Sequence, residues 1–466
     1  MHSMLNDMGS EKLYSFFPVS IQNIVCSFEG WRIKRFRYDQ NFHRLLKNAE
    51  SRTFKSYDEI CVFRNHRLRN FIDWSYKSVP HYRKLFKSLG AHPDDFKSIE
   101  DLKRLPILTK GQVQDNLKEF VSENIPENER EIAHTSGSTG GGLRFANTRY
   151  SIMEQFSIYW RYLGWHGLNL DTWRGYFGGR SVVPVRQNRP PFWRDNFPGR
   201  QIIFSGYHMS VDNLHYYVDE INKRRPPWLV GYPSLIALLA DYLINRKESL
   251  RYKLEGIALS SENLMPHQIE KIKKAFGLKP IQDYGQAEAV ANISECERGN
   301  MHVDEDFSAV EFIPLPDDDC YRLIGTNFTN PATPLIRYDT RDVVSLSKQK
   351  CDCGRPGRVV KNIDGRKEDY VILKNGVRIG RMDHVFKDSV NIREAQLYQS
   401  IPGHIEVRIV KGSKYDKKDE NQMMYELRKR LGDNTEININ YVNQLQRTPR
   451  GKLRFVLSNI KEGMIQ

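Results

Sequence analysis

The chain has 466 residues, 27% of them charged and 39% hydrophobic, and its 71 Lys and Arg outnumber 57 Asp and Glu for a net charge of +14. That length exceeds one core and predicts two domains or more, and that balance is ordinary for a globular protein and excludes a dominant disordered or low-complexity class. A basic surface can serve nucleic acid, an anionic membrane or small anionic substrates, but no nucleic-acid-binding signature occurs, so nucleic acid is not an expected partner.

Residues Met1 to Phe17 carry no basic stretch followed by an apolar core, so no secretory signal is read there. The longest apolar segment, Leu235 to Ile244, is broken by Asp241 and is too short to span a bilayer. The expectation is a cytoplasmic chain without a transmembrane segment. Its six cysteines are then reduced thiols or metal ligands and not a disulfide framework.

From Ile21 to about Glu129 apolar residues recur at helical spacing. Asp58 to Tyr76 reads as one helix, and Ser98 with Asp101 reads as a capping pair opening another. Pro106 to Lys110 resembles a loop entering the next helix. A short run, Arg130 to His134, then leads into Thr135-Ser136-Gly137-Ser138-Thr139-Gly140-Gly141-Gly142, whose glycines and hydroxyls suit a loop folded around phosphate. Leu143 and Arg144 follow where a Walker loop needs Lys and Ser or Thr, and an ordinary surface loop has the same composition.

The tract from Asn147 to Arg225 interleaves aromatics with arginines and reads as core packing around irregular loops, with stacking on bases as the alternative and with room for part of it to line an acyl or adenine pocket. Alternation follows. Pro227 to Gly231 is a predicted strand, Pro233 to Leu243 a helix, Leu254 to Leu259 a strand, and Pro266 to Gly277 a helix with Pro in its first turn and Gly at its end. Strand-like Pro280-Ile281 leads to Asp283-Tyr284-Gly285. Such alternation predicts an α/β fold with a largely parallel sheet, whose ligands sit at the carboxyl ends of strands. After Gly365 the pattern restarts: His404 to Val410 and Glu436 to Val442 read as strands around a helix at Lys417 to Leu431. The predicted domains are 1–364, with 1–129 mainly helical, and a small α+β unit at 365–466.

Four further motifs accompany the glycine loop at what read as strand-to-helix or loop positions: Tyr284-Gly285-Gln286-Ala287-Glu288, Tyr338-Asp339-Thr340-Arg341-Asp342, Gly365-Arg366-Lys367-Glu368-Asp369 and Arg447-Thr448-Pro449-Arg450-Gly451-Lys452. Their order and spacing resemble the acyl-adenylate-forming superfamily of acyl-CoA synthetases, adenylation domains and luciferases. Val230 to Ser234, Ser260-Ser261-Glu262, Glu297 after Cys296, and Met301 to Glu305 are similar to the phenylacetate–CoA ligase branch, particularly its members like coenzyme F390 synthetase or the capsule-biosynthesis protein CapK. The likeness runs from about Leu102 to Arg454.

The resemblance implies a large adenylate-forming domain, a small mobile lid, and two steps. A carboxylate attacks the α-phosphate of ATP and releases pyrophosphate; the acyl-AMP then passes its acyl group to CoA or, in a CapK-like alternative, to another acceptor in surface-polysaccharide assembly. Two anions must meet in the first step, so positive charge and fixed donors are required. The implied nucleotide contacts are Thr135, Ser136, Gly137, Ser138, Thr139, Gly140, Ser261, Glu262, Asp283, Tyr284, Gly285 and Gln286, with Asp342 on the ribose hydroxyls and Arg366 on ribose or phosphate. Glu288 would ligand Mg²⁺, and Lys452 would bridge the carboxylate and α-phosphate. Without the family order, Asp342 with Arg366 also reads as a simple ion pair and Tyr284 as a core aromatic. A non-catalytic nucleotide-binding protein is a further alternative, against which the intact Glu288, Asp342, Arg366 and Lys452 argue.

Some positions depart from the superfamily's pattern. Ala287 replaces the usual Thr, Arg341 stands where glycine is common, and Glu368 occupies the hinge position. Cys296, His302, Cys351 and Cys353 form a second constellation; thiolate and imidazole suit tetrahedral zinc, and relatives in this branch carry a similar set around a structural zinc. Free thiols in an ordinary turn are the alternative.

Overall fold

The computed structural model describes residues 13–134, 143–180, 182–315, 320–364, 370–379, 382–386, 391–412, 415–446 and 455–460. The chain begins with helices α1 (Val19–Arg37), α2 (Gln40–Ser51), α3 (Tyr57–Ser78), α4 (Pro80–Leu89), α5 (Lys110–Asp115) and α6 (Leu117–Phe120). The predicted helix at Asp58 to Tyr76 lies inside α3, which starts at a reciprocal cap: Ser56 Oγ accepts the Glu59 N–H and Glu59 Oε2 accepts the Ser56 N–H. Asp101 likewise accepts from the backbone and hydroxyl of Ser98, opening a short 3₁₀ segment.

Strands β1 (Arg130–His134) and β2 (Arg144–Thr148) pair antiparallel on either side of the glycine-rich segment, which itself lies outside the described residues. Helix α7 (Arg149–Trp165) turns much of the aromatic tract inward, setting Met153, Trp160, Tyr162 and Leu163 against Trp228, Val230 and Ala258. The core-packing reading of those aromatics therefore holds.

Among the described residues the main sheet has twelve strands. Its parallel part comprises β3 (Arg174–Gly178), β5 (Gln201–Ser205), β6 (Trp228–Gly231), β7 (Gly256–Leu259) and β8 (Ile281–Gly285), with β4 (Trp193–Asn196) antiparallel at the edge beyond β5. Helices α8 (Leu214–Arg224), α9 (Pro233–Arg246) and α10 (Pro266–Phe276) supply Tyr217, Ile221, Ile236, Leu239, Leu243 and Ile272 to one face, while α7 covers the other. Burial on both faces is why these strands read as continuous apolar runs. Gly231 ends β6 with φ 158, and a Cβ there would lie 1.8 Å from the carbonyl oxygen of Phe177, so only glycine fits.

Beyond β8 the sheet becomes antiparallel through β9 (Asn292–Glu295), β10 (Met301–Val303), β11 (Ala309–Pro314), β12 (Cys320–Thr326), β13 (Tyr338–Leu346) and β14 (Val359–Asp364), in the order β11-β12-β13-β14-β10-β9-β8. The predicted parallel character thus describes one half of a mixed sheet. A two-stranded pair, β15 (Val371–Ile372) and β16 (Arg378–Ile379), precedes a separate C-terminal sheet. There β17 (Ile392–Ile401) and β18 (His404–Lys411) form a hairpin, while β19 (Glu436–Tyr441) and β20 (Val456–Ser458) flank it in parallel. Helix α11 (Lys417–Leu431) buries Met423, Leu427 and Leu431 against it. The expected domain boundary at Gly365 lies outside the described residues.

Three consecutive acids after β10 tie the helical N-terminal part to the sheet. Asp304, Glu305 and Asp306 are all buried. Arg161 of α7 donates to Asp304 (2.7 Å) and Asp306 (2.8 Å), and Arg52 also reaches Asp306 (2.7 Å). Arg64 of α3 and Arg358 each lie 2.6 Å from Glu305. Burial alone would raise the Asp306 carboxyl, but Arg161 and Arg52 win and hold it down at about 2. Removing the shared partner leaves buried Asp304 without a cation and Asp306 with Arg52 alone, so Arg161→Met is expected to cost about 3–5 kcal/mol in urea denaturation.

Candidate functional site

The motifs gather where the parallel strands end. Tyr232 to Ser234 follow β6, Ser260 to Glu262 follow its neighbour β7, and Asp283 to Glu288 run off the next strand, β8. Ser261 takes a left-handed φ of 70°. Glu262 turns back to accept the Ser234 N–H at 3.0 Å, satisfying one of the open donors at the start of α9. That contact is a structural task for a residue expected at the cofactor.

Strand alternation separates the β8 residues into two sides. On one, Tyr284 reaches β13 and donates its hydroxyl to Asp342 Oδ2 at 2.8 Å. Burial, and then the Asp342 charge, raises the tyrosine well above its ordinary value, so it remains a donor. The Gln286 side-chain amide closes on the same hydroxyl, and the Gln286 backbone carbonyl accepts from Gln155 of α7 at 2.8 Å. Glu288 lies in the following turn, half-buried, with its backbone carbonyl held by Asn327 at 3.0 Å. Tyr338, buried on β13, points its hydroxyl back to Glu288 Oε1 at 3.5 Å. Two tyrosines therefore cross in opposite directions between β8 and β13, each meeting one of the two expected acids. Asn327 and Gln155 were not singled out by the sequence, where no spacing relates them to the motif; Tyr338 heads a quoted motif, but its contact with Glu288 leaves no signal in that spacing.

The Tyr338 to Asp342 motif lies inside a strand, a correction to its reading as a loop or strand-to-helix position. Side-chain turns explain its loop-like composition: Asp339 Oδ1 accepts the Arg341 N–H and Thr340 Oγ1 accepts the Asp342 N–H. Arg341 between them has φ 62°, the conformation that glycine adopts without strain. The other expected contacts, Thr135, Ser136, Gly137, Ser138, Thr139, Gly140, Arg366 and Lys452, lie outside the described residues.

The cysteine and histidine set does come together. Ligand atoms of Cys296, His302, Cys351 and Cys353 all lie within 4.8 Å of one another. The Cys296 and Cys351 sulfurs are 3.7 Å apart, and Cys353 Sγ is 3.4 Å from His302 Nε2. Tetrahedral zinc with Zn–S of about 2.3 Å and Zn–N of about 2.0–2.1 Å needs separations of about 3.8 and 3.5 Å, so the residues fit such an ion. Burial lowers His302 and so favours the neutral imidazole that binds metal. Asn300 donates to Cys351 Sγ at 3.2 Å and the Arg355 backbone to Cys353 Sγ at 3.4 Å. Arg355 stands 4.3 Å over Trp165 and pairs with Glu297, which fixes the Cys351–Cys353 turn against α7.

Residues 371–459 match the family model of the CapK C-terminal domain. Protein CapK of Staphylococcus aureus is 26% identical over 457 residues, covering 96% of this chain and 99% of its own. The phenylacetate-coenzyme A ligase of Thermus thermophilus is 26% identical over 352 residues, covering 69% of this chain and 73% of its own. Among solved structures, an open conformation of 2-hydroxyisobutyryl-CoA ligase in complex with 2-HIB-AMP and CoA aligns with a TM-score of 0.56 at 17% identity, over 87% of this chain and 93% of that one. The homologues are thus CapK and phenylacetate–CoA ligases, and the fold is that of the adenylate-forming acyl-CoA ligases.

Asp283 occupies the other side of β8, where its Oδ2 lies 4.0 Å from the place a Cβ on Gly285 would take. Burial, then the nearby charge of Asp304, pushes its carboxyl up to about 7. A carboxyl raised above its unfolded value of about 3.9 contributes stability below that value and loses it as pH rises through the folded one. Urea denaturation should therefore show stability falling between about pH 4 and pH 7, and Asp283→Asn should flatten that part of the profile.

Proposed function

From this kinship and fold, we propose that the chain joins a carboxylic acid to CoA through an acyl-adenylate. A carboxylate oxygen attacks the α-phosphorus of ATP and pyrophosphate leaves; the CoA sulfur then attacks the acyl carbon, loses its proton, and AMP leaves. The observation that carries this reading is the crossed pair Tyr284–Asp342 and Tyr338–Glu288, which joins the carboxyl end of parallel strand β8 to β13.

Each described side chain has a task in the first step. Asp342 accepts from the ribose hydroxyls; a carboxylate has lone pairs for several donors, and the Tyr284 hydroxyl engages only one oxygen. Gly285 lets the nucleotide approach the strand, since a side chain there would also press on Asn292 Oδ1 at 2.9 Å. Glu288 holds Mg²⁺, which neutralises charge on the phosphate oxygens. Lys452, Arg366 and the 135–140 loop complete the positive surroundings that two meeting anions need.

A second reading, transfer to an acceptor other than CoA, is favoured by the extent of the CapK likeness. It spans nearly the whole of both chains and includes 371–459, whereas the aligned phenylacetate–CoA ligase covers 69% of this chain. The acid and the final acceptor are small molecules or assembly partners of the surface-polysaccharide kind in that case. The four-ligand cluster is proposed to hold one structural zinc, closed because every position is filled by protein.

Pyrophosphate–ATP exchange over a panel of carboxylic acids tests adenylation, and Glu288→Gln is expected to lower it by about 100-fold or more; no exchange with any acid would refute the proposal. Thioester detected by mass spectrometry on adding CoA selects the first acceptor reading, while adenylation without thioester selects the second. For the cluster, metal analysis of purified protein should find about one equivalent of zinc, and Cys351→Ser with Cys353→Ser should abolish it and lower the melting temperature.

A further inference from the structure

Helix α1 is held by one face and presents another that nothing described covers. Its inner face shields the sheet's edge strand β4: Gln22 accepts from Arg194 at 2.6 Å, Asn23 accepts the Asp195 N–H at 3.0 Å, and Ser27 donates to the Asp195 carbonyl at 3.1 Å. Gly30 presses so closely on Asn196 that a Cβ there would stand 1.8 Å from its Oδ1. Ahead of the helix, Tyr14 is buried and donates to the Val182 carbonyl at 2.6 Å, anchoring the helical stretch 13–16. These contacts account for the position of α1. They do not involve its outer residues.

The outer face is apolar where a surface helix is normally polar. Ile21, Ile24, Phe28 and Trp31 recur at spacings of three and four and are 40%, 66%, 49% and 46% exposed, and Phe16 before them is 84% exposed. Phe28 and Trp31 stack at 5.7 Å, and the Arg35 guanidinium lies 5.5 Å from the Trp31 ring. Single exposed apolar residues are ordinary, but a continuous stripe along one helix marks a contact surface.

Charge selects the occupant. Beside the stripe Lys34 and Arg35 are exposed and Arg32 binds the helix's one acid, Glu29, at 2.9 Å, while Arg37 turns inward over the Phe156 ring at 4.2 Å. The Glu131 charge also acts on Arg32, and Asp171 lies 3.9 Å from Lys34. A Trp and Phe stripe bordered by long basic side chains fits the boundary of an anionic bilayer, with rings among the acyl chains and cations at the phosphates. The helix stands on the edge of the sheet as a ridge, which a broad flat surface can meet. We propose that α1 docks this protein, through Ile24, Phe28, Trp31 and Arg35, onto a membrane surface of anionic lipid. No helix of the described residues is long and apolar enough to cross the membrane, so the association is peripheral.

Flotation with vesicles of equal phosphatidylglycerol and phosphatidylcholine, against phosphatidylcholine alone, tests this. The full chain should float with the anionic vesicles only, less so at high salt, and Ile24→Ser/Phe28→Ser/Trp31→Ser should reduce binding by about tenfold or more while keeping the wild-type melting curve. Lys34→Glu/Arg35→Glu, which leaves the apolar stripe in place, should weaken binding in the same direction and serves if the triple variant misfolds. Tryptophan quenching by brominated lipid should fall in Trp31→Phe. Failure of the wild type to float, or undiminished flotation of both charge and apolar variants, overturns the proposal. So does sedimentation velocity in which the triple variant turns a dimer into a monomer with no vesicle binding by either, because the stripe would then be covered by a second copy.

Discussion

The buried run Asp304-Glu305-Asp306 is the constraint on which the rest of the molecule depends. Three adjacent carboxylates cannot be dehydrated together unless cations arrive with them, and here Arg52 comes from the end of α2, Arg64 from α3, Arg161 from α7 and Arg358 from the approach to β14. Each arginine adds a further bond to a carbonyl or a second carboxylate: Arg161 also meets the Ala49 carbonyl and Arg358 the Val310 carbonyl. A buried ion pair stabilises little compared with apolar packing of equal volume, but mispairing one is costly. The network therefore selects a single docking of α2, α3 and α7 on the sheet.

That docking reaches the site through one strand. Asp304 Oδ2 accepts from Asn292 and Ser294, both on β9, at 2.6 and 2.7 Å. β9 pairs with β8 at Asp283, Tyr284 and Gly285, so the carboxylate that binds Arg161 also fixes the strand beside the candidate nucleotide site. Ala289, in the left-handed region at φ 55°, is kept there by packing with Ile158 of α7, Ala49 of α2 and Phe307. Backbone strain of this kind persists only where its surroundings determine it. Glu288, one residue earlier, inherits its position from that packing.

The elements most legible in the sequence were those whose local signals agree with their burial. Pro266 and Gly277 bracket α10, and Gly277 adopts the left-handed φ of 71° that its place after a helix calls for. The alternation of Ile405, Val407 and Ile409 sets one face of β18 inward. The acid run was not legible as core, because Asp and Glu in sequence read as solvated, and their partners lie 53 to 254 residues away. At the site, Tyr284, Glu288 and Asp342 could be named from motif order. Tyr338 heads one of those motifs, but its hold on Glu288, like that of Asn327, could not be read, since a side chain that supports another across a sheet leaves no periodic trace. The mixed character of the sheet was hidden for a related reason: antiparallel β9 to β14 are joined by turns and short loops whose polar residues resemble those between parallel strands.

The cysteine cluster gains its meaning from where β9 ends. The strand starts four residues after Glu288 and runs directly into Cys296, with the Asp304 contacts between. His302 lies on β10, paired with β9 at Ser294, so two ligands belong to one hairpin and the other two, Cys351 and Cys353, to the turn before β14. A cation bound there would clamp the far end of the strand whose near end carries the site. Its effect on chemistry would be indirect, because four protein ligands leave no open position for substrate. With a cation bound, the clamp and the ion network would restrain the same short strand from two directions, one by coordination and one by dehydrated charge. Loosening either should disturb Glu288 less by moving its carboxylate outright than by widening the range of positions the 286–289 turn can occupy.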